Sequence, residues 1–120
     1  MSGSVVPYLI RAYCDWIEDS NLTPHILVNC EKTGVVVPEG FAKEGKIVLN
    51  ISSSATESRL ITNNSISFKA RFSGKPQKII VPYEAVLTIY AQENGEGMFF
   101  DNKLETKGDK NEKPNLTILD

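Results

Sequence analysis

His25, the only histidine, and the two cysteines, Cys14 and Cys30, are the residues best equipped for nucleophilic or metal chemistry. An activated thiol needs a base within hydrogen-bond reach and a third group to orient that base. His25 and Cys30 share one short apolar segment, but no orienting residue accompanies them. There is no C-x-x-C pair and no H-E-x-x-H, so zinc-ligand spacing is absent. Gly95-Glu96-Gly97 lacks the third glycine and the strand–helix setting of a dinucleotide loop. His25 therefore reads as a structural or surface histidine, and the cysteines as small hydrophobes kept reduced. The expectation is a protein with no catalytic residues, no metal and no cofactor, hence not an enzyme.

The elements must then present a surface rather than a reaction centre. A chain of 120 residues has room for one domain with a small core, which a self-association surface would help. With 41% hydrophobic and 23% charged residues the composition is that of a soluble globular protein. No apolar run is long enough to cross a bilayer, and MSGSVVPYLI has no basic residue ahead of its apolar stretch. A cytoplasmic protein without a membrane partner is expected. Net charge is −2, yet no acidic residue falls between Glu57 and Glu84, a stretch carrying Arg59, Lys69, Arg71, Lys75 and Lys78. A local basic surface on a mildly acidic chain suits a short acidic partner better than a long nucleic acid.

Pro7 opens a helix running to about Asp19. Leu9, Ala12, Tyr13 and Trp16 recur on one face, and Ile10, Cys14 and Ile17 form a second apolar stripe. So broad an apolar arc exceeds one contact, which predicts packing both on the domain and on a second copy. Strands are expected at 25–31, 34–38, 45–52, 65–73 and 77–81. The clearest is SISFKARFS, where Ile66, Phe68, Ala70 and Phe72 alternate with polar residues. Ser73-Gly74-Lys75-Pro76 reads as a turn. Pro82 then opens a second helix, with Val86, Ile89 and Tyr90 as its core face and Gly95 as its cap. The result is an α+β, mainly β domain. From Asn102 the chain becomes polar and mixed in charge, reading as a flexible tail that closes on an apolar cluster, either a docking motif or a final strand folded back on the domain. The division expected is 1–101 for the folded domain and 102–120 for the tail.

Two binding functions compete for such a domain. Small β-barrels bind single-stranded RNA through basic and aromatic residues on a sheet face, and SFKARF interleaves both. Phe68 and Phe72, however, share a face with Ile66 and Ala70, while Lys69 and Arg71 point the other way. A sheet with a surface groove can instead accept an extended peptide through backbone hydrogen bonds and shallow apolar pockets.

The segments PYLIRAYCDWIEDSNLTPHILVN, GKIVLNIS, ISFKARFSGKPQKIIVP and AVLTIYAQENGEGMFF together resemble the SspB (stringent starvation protein B) family. Each is weak alone, and the ordered set is specific. The resemblance implies an adaptor that holds ssrA-type degradation tags and delivers the tagged polypeptides to the ClpXP unfoldase-protease. It implies a small Sm-like β-barrel or sandwich, and a homodimer formed through the N-terminal helix at Leu9, Tyr13 and Trp16. By the motif match, Asn50, Ile51, Ser52, Phe68, Ala70, Arg71 and Phe72 border the peptide groove. Ala70 leaves room for peptide, and Arg71 faces acidic residues of the tag. By the same resemblance, Leu116, Ile118 and Leu119 are expected to form the apolar motif that docks on the ClpX N-terminal domain. Thr117 and Asp120 stand where relatives carry basic residues.

Overall fold

In a computed structural model of the chain, residues 5–100 are described. The first element is helix α1, Val6–Asp19, with Pro7 in its first turn and no side-chain cap at Val5. Its end is built from backbone. Asn21 takes a left-handed φ of 64°, so its N–H bonds the Glu18 carbonyl at 3.0 Å and the Leu22 N–H bonds that of Ile17 at 2.9 Å. This crossed pair satisfies carbonyls that a helix terminus leaves without partners.

Among the described residues seven strands follow: β1 (Pro24–Asn29), β2 (Lys46–Asn50), β3 (Glu57–Ile61), β4 (Ser65–Phe72), β5 (Lys75–Pro82), β6 (Val86–Ala91) and β7 (Gly97–Phe99). All pairings between them are antiparallel. One sheet has the order β2-β1-β6-β7 and the other β3-β4-β5, and the chain changes sheet through a 3-10 turn at Tyr83–Ala85. The α+β, mainly β class is as expected. The sheets share no strand, so among the described residues the arrangement is an open sandwich rather than a closed barrel.

The core lies between the sheets and under the helix. Ile10, Cys14 and Ile17 of α1 are buried where the helix crosses β6 and β1, joining Ile26, Val28, Val86 and Ile89. Ile66, Phe68, Ile79 and Val81 supply the other sheet's side. The β4–β5 hairpin closes on Ser73-Gly74, with φ of 54° and 80°. Two successive positive φ values match the twist of the flanking strands, and glycine adopts one without steric cost. At Gly97 the constraint is proximity: a Cβ there would sit 1.9 Å from the Ile89 carbonyl oxygen, so β7 pairs with β6 only because the side chain is missing.

Several expected elements are corrected. The segment after Pro82 is not a second helix but one 3-10 turn followed by β6, with Val86, Thr88, Ile89 and Ala91 buried. Its β-branched and aromatic residues fit a strand as well as a helix face, and the free edge of β1 decides for the strand. Gly95 accordingly sits in the β6–β7 turn, where its N–H bonds the Ala91 carbonyl at 2.7 Å. The expected strand at 34–38 reduces to a single bridge between Val36 and Ile80. Strand β1 stops at Asn29, which leaves Cys30 half-buried in the following turn rather than in line with Ile26 and Val28. Strands β3 and β7 carry no alternation strong enough to mark them in advance.

Candidate peptide-binding groove

Strand β4 emerges from the core along its length. On one face Ile66 and Phe68 are buried, whereas Ala70 and Phe72, next in the alternation, are only half-buried. That emerging face meets the end of β2, where Ile47 and Leu49 point inward and Val48 and Asn50 are exposed. The gap between them is a cleft of about 350 Å³ lined by His25, Val48, Asn50, Ala55, Phe68, Ala70, Arg71 and Phe72. Two further hollows, each about 390 Å³, continue it. One is bordered by Ser54, Thr56, Glu57, Lys69 and Pro76 and shares Ala70 and Arg71. The other is bordered by Leu27, Phe41, Lys43 and Lys46 and shares Val48 and Phe72. The three hollows adjoin through these shared residues across the mouth of the sandwich, and among the described residues their charged lining is Lys43, Lys46, Lys69 and Arg71 with the one carboxylate of Glu57.

The free edge of β2 runs beside this groove. Ile51 N–H bonds the Pro24 carbonyl at 3.0 Å, so by the alternation of an antiparallel ladder Leu49 and Ile47 also face β1. The peptide groups of Val48 and Asn50 are then directed to the outer edge, where no strand among the described residues pairs with them.

A loop over residues 51–56 forms one wall, and local bonds shape it. The Ser52 N–H donates to Asn50 Oδ1 at 2.9 Å, and Ala55 N–H and Thr56 Oγ1 both donate to the Ser52 carbonyl, at 3.1 and 2.8 Å. On the opposite side Phe41 packs edge-on against Phe72, with ring centroids 5.0 Å apart. Arg71 is exposed and donates to the Gly74 carbonyl at 3.1 Å, which aims it along its own hairpin.

Asn50, Phe68, Ala70, Arg71 and Phe72, all expected at a groove, thus line one cleft. Ile51 and Ser52 are buried at its margin, and Phe68 exposes only 2% of its surface, so these contribute wall rather than open face. His25, Phe41, Val48, Ala55 and the lysines at 43 and 46 were not anticipated. An aromatic in a Gly- and Lys-bearing loop was the one available signal, at Phe41.

The thiols are unsuited to attack. Burial pushes Cys14 up to about 11, against the opposing pull of Arg59, and burial likewise raises Cys30. A thiol held protonated at neutral pH is a poor nucleophile. Among the described residues no group of three or more His, Cys, Asp or Glu could hold a metal ion. No helix among them is long and apolar enough to cross a membrane.

The outer face of α1 carries Tyr8, Ala12 and Trp16 exposed, Trp16 to 46%, with Leu9 and Tyr13 half-buried beside them. Tyr13 and Trp16 pack edge-on at 5.8 Å, and a shallow apolar hollow lies between them and Ala12. Leu116, Ile118 and Leu119, with the whole expected tail, lie outside the described residues.

The model of the family described as Stringent starvation protein B matches residues 4–117. The chain belongs to the SspB family. A Stringent starvation protein B homolog from Haemophilus influenzae is 47% identical over 95 residues, which are 79% of this chain and 63% of that protein. The chain thus spans somewhat under two thirds of that relative's length. SspB proteins are a family of adaptors.

Proposed function

We propose that the groove binds ssrA-type degradation tags in extended form, and that the chain delivers tagged polypeptides to the ClpXP unfoldase-protease. The observation that carries this reading is the meeting of the β2 edge with the emerging face of β4. An extended peptide can bond the Val48 and Asn50 peptide groups while its side chains fill the hollows at Ala70 and Phe72. Lys43, Lys46, Lys69 and Arg71 favour an acidic peptide. The outer face of α1 forms a homodimer through Leu9, Tyr13 and Trp16, and Leu116, Ile118 and Leu119 dock on the ClpX N-terminal domain. Two tails per dimer raise the effective concentration of weak docking contacts. The working compartment is the cytoplasm.

A fluorescent ssrA peptide titrated into the protein, beside a single-stranded RNA, tests the groove. Peptide binding that Ala70→Gln abolishes is expected, because the larger side chain fills the half-buried position. RNA binding in its place overturns the reading. Removing residues 115–120 should leave peptide affinity unchanged and abolish the acceleration of tagged-protein degradation by ClpXP. Equal acceleration without those residues removes the docking role.

A further inference from the structure

Five groups from three separate elements converge behind the groove wall. Arg59 of β3 donates through Nη1 to the Ile51 carbonyl at 2.6 Å and to Cys14 Sγ of α1 at 3.3 Å. The same Nη1 lies 3.7 Å from Glu18 Oε2, also on α1. That Glu18 oxygen accepts the Ser53 N–H at 2.5 Å. Both contacts grip the chain at the root of the loop whose next residues, Ser54, Ala55 and Thr56, line the groove.

The grip is needed for a reason found in the sequence. Pro24 stands opposite Ile51 and has no N–H, so the ladder cannot satisfy the Ile51 carbonyl. A buried carbonyl left without a donor is costly, and Arg59 supplies one from the other sheet. Charge-assisted bonds of this kind are short and directional, which suits them to fixing a loop. Neither Glu18 nor Arg59 lines the groove.

We infer that Glu18 and Arg59 are positioning residues for peptide binding: together they clamp the 51–56 wall to helix α1 and hold the groove at its binding width. The inference rests on the groove reading above. It has a structural consequence that does not, because the clamp should protect the Ser53 amide in the peptide-free protein. The clamp also joins the groove wall to the helix whose outer face carries Tyr13 and Trp16.

The test compares Glu18→Ala, Glu18→Gln and the exposed control Asp19→Ala, with Ala70→Gln as the groove block. Two quantities are measured: affinity for a fluorescent ssrA peptide, and hydrogen exchange of amides 53–56 without peptide. Glu18→Ala should stay folded, weaken peptide binding on the order of tenfold, as expected for loss of a charged hydrogen bond, and speed exchange at Ser53. Glu18→Gln keeps an acceptor oxygen and should recover most of both properties, which a general loss of stability would not. Asp19→Ala should match the parent. Parental binding by Glu18→Ala beside a dead Ala70→Gln overturns the clamp alone, as does unchanged exchange at Ser53. Parental binding by Ala70→Gln overturns the groove reading, and the exchange measurement then still decides whether the clamp holds the loop.

Discussion

Arg59 and Pro24 are complementary: the proline withholds a backbone donor from the Ile51 carbonyl, and the arginine supplies one at 2.6 Å. One sheet's defect is thereby repaired by a side chain of the other, and the repair ties the sheets together beside the groove. Arg59→Met should lower unfolding free energy by about 2 kcal/mol, the scale for stranding a largely buried acceptor. Urea denaturation checks this, and a midpoint unchanged from the parent would show that the carbonyl finds water instead.

Arg71 stands at the overlap of two hollows and is exposed. Arg71→Glu should weaken peptide binding and flatten its dependence on salt, because an exposed charge contact is screened beyond about 8 Å at physiological ionic strength. Titrations at low and high salt give the two slopes. Equal slopes would assign the electrostatic contribution to the lysines.

Trp16 is exposed on the outer face of α1, while Ile10, Cys14 and Ile17 hold the opposite face to the core. Trp16→Glu should therefore separate a dimer without unfolding the domain, since the new carboxylate would be buried only across the interface. Light scattering should report a monomer, with far-UV circular dichroism retained. A variant that remains fully dimeric would place the self-association surface elsewhere.

Glu93 accepts hydrogen bonds from the Thr23 hydroxyl at 2.7 Å and the Thr23 N–H at 2.8 Å. These bonds lower its pKa from the ordinary 4.5. A carboxyl depressed in the folded state adds stability that is complete above its unfolded value and lost as pH falls through the lowered one. Glu93→Gln should therefore flatten the acid limb of the stability curve below about pH 4.5 and leave its shape near neutrality unchanged. Urea midpoints measured across that range decide it.

Thr88 is buried in β6, and among the described residues its hydroxyl has no hydrogen-bond partner. Thr88→Val preserves the shape and removes the desolvated hydroxyl, so stability should rise by about 1 kcal/mol. A loss on urea denaturation would indicate a water bonded to Thr88 Oγ1.

Local sequence determined those features whose physics is local. The two stripes of α1 follow from 3.6-residue spacing, and the buried one consists of the expected Ile10, Cys14 and Ile17. Alternation fixed which side of β4 enters the core, and Ser73-Gly74 fixed the hairpin that returns it. The matched motifs named Asn50, Ala70, Arg71 and Phe72 in advance, and all four line one cleft. What tertiary structure alone decided is whatever depends on a distant partner. Residues 86–91 suit either a helix face or a strand, and only the open edge of β1 makes them β6. Lys43, Phe41 and His25 join the groove because the ends of two sheets meet there, a proximity that no spacing records. The Ile51 carbonyl needs Arg59 because register sets it opposite Pro24, and register exists only once the strands have paired.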